Sequence, residues 1–215
     1  MEFDLQFVNR HFPDLTETQT RQLSKFSELI GEWNQRVNLI SRNDIQNLPM
    51  RHILHSLAIA KTVDFQPGTR ILDVGTGGGF PGIPLAIIYP ECQFQLIDSV
   101  GKKIKAVTNC IESLNLGNAV AHQARAETVQ DTFDFIVARA VTQLPKFLGW
   151  IRDRVRHPST NALANGVLYL KGGDLSEEFS EVLEMPTLHP IVDYFKYPEF
   201  DNKFVVHIPI ASKTT

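Results

Sequence analysis

The stretch 71-ILDVGTGGGFPGIPLA-86 decides the fold. With Arg70 in front of it, RILDV (70–74) reads as a buried strand. Glycines follow at 75, 77, 78, 79 and 82. Glycine allows positive φ and lets the backbone approach a ligand closely. IPLAIIY (83–89) then reads as a helix, with Pro84 tolerated because it falls in the first turn. A strand, a glycine turn and a helix in succession make the ligand-binding start of an α/β sheet.

The loop itself narrows the ligand. The dinucleotide fingerprint GxGxxG can be laid on it in two frames. From Gly75, Phe80 takes the place of the third glycine; from Gly77, the formal match Gly77, Gly79, Gly82 is bracketed by Pro81 and Pro84. A pyrophosphate at a helix N-terminus needs free amides there, and proline has none. No GxxxxGK[ST] motif occurs. GxGxG over Gly75–Gly79 fits better, and behind an acid-bearing first strand it is the pattern of S-adenosylmethionine-dependent methyltransferases. The methionine tail of that cofactor offers a carboxylate and an ammonium to a backbone-lined loop. Its ribose hydroxyls call for an acid at the end of the second strand, where Asp98 stands 23 residues after Gly75. Asp73 reads either as a contact near the ammonium or as an acceptor that braces the loop amides.

Outward from the loop, strands and helices alternate. FQLID (94–98), AVAHQ (119–123), FDFIVAR (133–139) and GVLYLK (166–171) read as strands. KKIKAVTNCIESL (102–114) and LPKFLGWIRDRV (144–155) read as helices. Two more strands are expected near PIVDYFKY (190–197) and KFVVHIPI (203–210), joined as a hairpin. The expected fold is α/β: a doubly wound, Rossmann-like, seven-stranded sheet of the class I methyltransferase kind. Ligands then lie beyond the carboxyl ends of the strands, at 75–80, 98, 125–127, 139 and 171–172. On the N-terminal side, Thr16 and Gln19 form a capping box before a helix whose apolar face is Leu23, Phe26, Ile30, Trp33 and Val37. A second helical pattern covers 48–63 with Leu48, Ile53, Leu57 and Ala60. Residues 1–65 are expected as a helical extension packed on a cofactor-binding domain, 66–215.

Composition sets outer bounds. The 215 residues are 43% hydrophobic, enough for a sizeable core, and order is expected everywhere but at the tips, such as SKTT (212–215). There is no signal peptide pattern and no apolar run long enough for a membrane helix. Two cysteines without a CxxC make a disulfide framework or zinc site a poor reading, and a reducing cytoplasm fits. The net charge is −3, yet residues 174–201 hold eight acids against the single base Lys196, so the rest of the chain is net basic. That asymmetry allows a basic face toward a polyanion. Candidate phosphate contacts are Arg36, Arg42, Arg51, His52, Lys102, Lys103 and Lys105, with Arg152, Arg154 and Arg156 further off. Lys171 at the end of the fifth strand joins the substrate-facing set. Asn38 and Ser41 read as polar contacts near the pocket or as a helix end and turn.

WNQRVNLIS (33–41), RHILHS (51–56), DVGTGGGFPGIPLAI (73–87), LIDSVGKKIKAV (96–107), ARAE (124–127), ARAV (138–141) and LKGG (170–173) together resemble the RsmG (GidB) family. These are bacterial 16S rRNA methyltransferases that make 7-methylguanosine. The resemblance covers most of the chain, and GFPGIP is its most specific piece. It implies S-adenosyl-L-methionine as cofactor, with Asp73, Gly75, Gly77 and Phe80 at the loop, Asp98 on the ribose, Ala126 and Glu127 beside the adenine, and Arg139 at the mouth. It implies 16S rRNA of the small ribosomal subunit as substrate, with Arg51 and His52 as the foremost RNA contacts, and a cytoplasmic, monomeric protein without a membrane partner. His55 departs from the family, which often has Asp there.

The implied chemistry needs no general base. Nitrogen-7 of guanine has an in-plane lone pair and no proton, so the enzyme must align donor and acceptor and exclude water. No catalytic dyad is apparent in the sequence. Arg139 is assigned to a phosphate, the methionine carboxylate or the guanine edge, whose O6 and N7 are acceptors. Two other readings compete: a methyltransferase acting on a small molecule or protein, which the weakly acidic charge favours, and a nicotinamide-dependent enzyme, which Phe80 and the prolines disfavour.

Overall fold

A computed structural model describes residues 6–41 and 43–212. Arg42, a candidate phosphate contact, and Lys213 to Thr215 of the C-terminal tip lie outside the described residues. Seven strands form one sheet in the order β3-β2-β1-β4-β5-β7-β6: β1 (Arg70–Val74), β2 (Gln93–Asp98), β3 (Ala119–Gln123), β4 (Phe135–Arg139), β5 (Gly166–Gly172), β6 (Thr187–Pro190) and β7 (Lys203–Pro209). The first five run parallel, and β7 is antiparallel to both β5 and β6. This is the doubly wound, seven-stranded sheet expected from the sequence.

The centre of the sheet is where the site must form. Strand β1 lies between β2 and β4, with Asp73 opposite Leu96 on one side and Val137 on the other. Its last four residues are buried, as a parallel strand covered on both faces requires. Chain order reverses between β1 and β4, so a crevice opens beyond their carboxyl ends. Val74, Asp98 and Arg139 end their strands on that edge.

Two apolar cores cover the two faces. One holds Leu23, Phe26 and Ile30 from the helix Glu17–Asn34, residues of the helices Gly82–Ile88 and Gly101–Ser113, and Phe135 and Leu168 from the sheet. The other holds Leu144, Phe147 and Leu148 from the helix Leu144–Ile151, packed on Leu72, Ile136 and Tyr169. The N-terminal helices therefore share a core with the sheet. Thr16 caps its helix reciprocally: the Gln19 amide donates to Thr16 Oγ1 at 3.2 Å, and the Thr16 amide donates to Gln19 Oε1 at 2.9 Å. Trp33 is half-buried against the core and donates its indole N–H to Asn109 Oδ1 at 2.8 Å.

Three sequence expectations need correction. The strand expected at 190–197 is Thr187–Pro190, and Ile191–Tyr194 is a helical turn. Ile191 and Phe195, four residues apart, are both fully buried, which is a helical spacing mistaken for alternation. The expected hairpin forms as the antiparallel pair β6 and β7, with 191–202 between them. The segment 48–63 is helical but not uniform: Pro49–Leu54 is wound with the wider five-residue hydrogen-bond step, followed by His55–Leu57 and Ile59–Thr62. Buried Leu48 and Ile53 stand five apart, which suits that wider turn. The helix expected through 155 ends at Ile151 and closes in a tighter turn, Arg152–Arg154.

Candidate active site

The glycine loop is held by two carboxylates. Asp73 is fully buried; its Oδ2 accepts the Thr76 hydroxyl at 2.6 Å and the Gly82 amide at 2.8 Å. Its other oxygen, Oδ1, is buried without a hydrogen-bond partner. Burial raises the Asp73 carboxyl to about 7, against those two hydrogen bonds. Asp98 is 7% exposed and bonds both flanks: Oδ2 accepts the Gly77 amide at 3.0 Å and Oδ1 accepts the Val100 amide at 2.9 Å. An ionised carboxylate offers about four lone-pair sites, so Asp98 keeps capacity for a further donor such as a hydroxyl.

A cleft of about 310 Å³ opens over this loop, lined by Gly75, Asp98, Val100, Lys103, Ala126 and Glu127 among others. The structure thus brings Gly75, Asp98, Ala126 and Glu127 together as expected, from the ends of β1 and β2 and the turn Ala126–Thr128. Gly75 has φ +67°, and a Cβ there would lie 2.8 Å from Val141 Cγ2, so only glycine suits the position. A Cβ on Gly77 would meet only the Gly75 carbonyl oxygen, at an ordinary contact distance of 3.9 Å. Phe80 does not line the cleft. It is 1% exposed and packs between Phe26 and His52, with ring centroids 5.0 and 5.3 Å away.

A second cavity, about 890 Å³, lies beyond the ends of β4 and β5. It is lined by Arg51, His52, His55, Arg139, Lys171 and Lys203, among others. Ala140 and Val141 line both cavities and form their common wall. Arg139 reaches the larger one with its guanidinium over the Phe80 ring, 4.9 Å from the centroid. It has no ion-pair partner among the described residues, neither Glu127 nor Asp98. Burial lowers it to about 10, with Asp73 and Asp44 acting the other way, so it stays charged at neutral pH.

The other candidates differ in what holds them. Arg51 is exposed and pairs with Asp44 at 2.8 Å; Asp44 is anchored in turn by the Ser41 hydroxyl at 2.7 Å. Lys171 pairs with Glu178, whose Oε2 also accepts the Leu144 amide at 2.6 Å. His52 and His55 are both held neutral, near 3, chiefly by burial and then by Arg139. Nδ1 of His52 and Nε2 of His55 are buried and unpartnered. Asn38 and Lys102 are exposed and line neither cavity. Lys103, expected with Lys102 as a phosphate contact, lies instead in the smaller cleft, 4.0 Å from Asp98 Oδ2. The cap of the turn after the first long helix is Asn34, whose Oδ1 accepts the Leu39 and Ile40 amides. Arg152 and Arg156 are paired with Glu184 and Asp134. Tyr169, Glu178 and Lys203 carry no local motif and emerge only here, whereas Val141 ends the ARAV segment.

Residues 19–201 match the family described as rRNA small subunit methyltransferase G, GidB. The chain belongs to that family. Within the methyltransferase G family it is 51% identical to the ribosomal RNA small subunit methyltransferase G of Flavobacterium johnsoniae, over 96% of this chain and 98% of the relative. It is 50% identical to the protein of the same description from Flavobacterium psychrophilum, over 97% of this chain and 100% of the relative. Among solved structures, a SAM-dependent methyltransferase from Aquifex aeolicus superposes with a TM-score of 0.57 at 18% identity, over 80% of this chain and 100% of that one. This second likeness shows the fold. Among the described residues, this member of the methyltransferase G family has no helix long and apolar enough to cross a membrane.

Proposed function

We propose that this protein transfers a methyl group from S-adenosyl-L-methionine to nitrogen-7 of one guanine in 16S ribosomal RNA of the small subunit. One observation carries the reading within the family: a cleft over a glycine loop and a cavity of about 890 Å³ meet at the Ala140–Val141 wall. The proposed setting is the cytoplasm, with the chain acting as a monomer and the segment up to residue 65 covering the substrate side of the domain from 66 onward.

The residues present fit the cofactor. Asp98 has spare acceptor capacity at the end of β2, Asp73 has a buried oxygen without a partner, and Gly75 lines the cleft with its backbone. In this reading Asp98 holds the ribose hydroxyls, Ala126 and Glu127 flank the adenine, and Gly75 and Gly77 present backbone to the methionine tail, with Asp73 toward its ammonium. Phe80 acts from beneath, through Arg139. The bound cofactor supplies an electrophilic methyl group on a sulfonium.

The protein's own part is binding, alignment and exclusion of water. Nitrogen-7 presents a lone pair and no proton, so no side chain has to remove one. His52 and His55 are neutral and add no charge beside a ring that becomes cationic. Arg139, without a carboxylate ion-pair partner among the described residues, donates to a phosphate or the methionine carboxylate while its guanidinium lies over Phe80. Arg51, Lys171 and Lys203 line the same cavity and face the RNA backbone, with Arg51 and Lys171 exchanging Asp44 and Glu178 for phosphate. Asn38 and Lys102 lie outside both cavities and act, if on RNA at all, at its periphery.

The test uses small subunits from a strain that lacks the methyltransferase. They are incubated with the protein and labelled cofactor, and the RNA is digested and separated. Label in 7-methylguanosine at a single 16S position is expected. Label only in protein or in small molecules would refute the RNA assignment.

A further inference from the structure

The wall shared by the two cavities is a strained, non-helical turn at the end of β4. Ala140 has φ +52°, a conformation that L residues other than glycine adopt at a cost. Val141 then stands against the glycine loop, in the space a side chain at Gly75 would need. Such a turn persists only where its surroundings hold it. Here one hydroxyl does so. Tyr169 Oη, on β5, accepts the Val141 amide at 3.0 Å and the Thr142 amide at 2.9 Å, and donates to the Thr142 carbonyl at 2.8 Å. A phenol has one donor and two acceptor sites, so its capacity is fully used on this turn.

The rest of Tyr169 is fixed by packing. It is 1% exposed, and its ring stacks at a tilt on Phe147 with centroids 4.8 Å apart. Lys171 Nζ lies over the same ring, 4.7 Å from the centroid, and also reaches the Thr142 carbonyl at 3.4 Å. The connection therefore runs from a rigid central strand, through one hydroxyl, to the backbone of Val141, and through the Val141 side chain to Gly75.

We infer that Tyr169 is a positioning residue for methyl transfer: its hydroxyl fixes the Ala140–Thr142 wall and so sets the distance and angle between the cofactor cleft and the substrate cavity. This rests on the methyltransferase reading above. Alignment matters more than usual in a reaction with no proton to move, because a displacement of about 1 Å can lower a rate roughly a hundredfold. Tyr169 lines the larger cavity, but its hydroxyl is spent on the turn, so its loss acts on alignment rather than on cofactor binding.

Tyr169→Phe is the direct test. The ring and its packing remain, and water from the larger cavity can reach the freed backbone groups, so the variant folds. Phe147→Leu is the comparison, since it loosens the same ring without touching the three hydrogen bonds. Single-turnover methylation of small subunits is measured well below both melting temperatures, and cofactor affinity by calorimetry. Tyr169→Phe should lower the transfer rate about tenfold or more with cofactor Kd within about threefold of wild type. Phe147→Leu should lower Tm and leave the rate within about twofold. A Tyr169→Phe rate within twofold of wild type, or equal rate losses in both variants, overturns the inference. Wild-type protein that makes no 7-methylguanosine refutes the functional reading instead, and the two failures are thereby distinguished.

Discussion

Arg139 rests its guanidinium on the ring of Phe80, with 4.9 Å between them, although the two are far apart in the sequence. The contact joins the glycine loop after β1 to the end of β4. It also explains how a largely buried arginine, with no ion pair among the described residues, stays charged: the aromatic face, Asp73 and Asp44 offset part of its desolvation.

Phe80→Leu should therefore act on stability and on activity together. It removes ring contacts to Phe26 and His52 as well as the platform under Arg139. A loss of about 1–2 kcal/mol in unfolding free energy is expected, read as a lower urea midpoint. Methylation should fall more than the stability loss accounts for, because Arg139 is no longer held. A variant with the wild-type midpoint and rate would show that the ring is not the support.

Gly75→Ala tests the close approach of the two loops. The substitution imposes a left-handed backbone conformation on alanine and drives its Cβ into Val141. The strain alone is about 1–2 kcal/mol. Calorimetry with S-adenosylhomocysteine should show at least a tenfold weaker Kd. Gly117→Ala, with open space around its missing Cβ, is the matched control and should leave the Kd unchanged.

His55 gives a signed pH dependence. Its folded value is about 3 against an ordinary 6.5, because burial and then Arg139 oppose its charged form. Between those values the unfolded chain binds the proton and the folded one does not, so stability rises with pH across that window and is lost as pH falls. His52 adds a contribution of the same sign. His55→Gln should flatten the slope of unfolding free energy against pH between 4 and 6 by up to about 1.4 kcal/mol per unit. An unaltered slope would show that His55 titrates normally.

Asp73 has the opposite sign. Burial raises its carboxyl to about 7 from 3.8, so between those values the folded protein holds a proton that the unfolded chain has released. Its contribution therefore declines as pH rises from about 4 to about 7. Asp73→Asn keeps an acceptor for Thr76 and Gly82 and removes the titration. Denaturation curves of variant and wild type should diverge steadily in favour of the variant over that range. Parallel curves would assign the slope to other groups.

The elements with a strong local pattern were legible. RILDV, FQLID, AVAHQ and GVLYLK fall on β1, β2, β3 and β5 within a residue or two, and the Thr16 cap is where its spacing puts it. The segment 187–197 was not legible, because a short apolar run with Ile191 and Phe195 fits two periods, and tertiary burial chose the helical one, whereas KFVVHIPI falls on β7. Lys102 and Lys103 are adjacent in a basic run, and only the helix's rotation against the sheet decided which one faces Asp98.

The sequence by itself determined the order of strands and helices, the glycine loop and the acid at the end of β2. Those depend on residues within a few positions of one another, where backbone sterics and apolar periodicity act. The tertiary structure alone decided that Arg139 lies on Phe80, that Glu178 pairs with Lys171, and that Tyr169 fastens the wall between the two cavities. These side chains meet only because parallel strands end on one edge of the sheet, and no local spacing records which strands will be neighbours there.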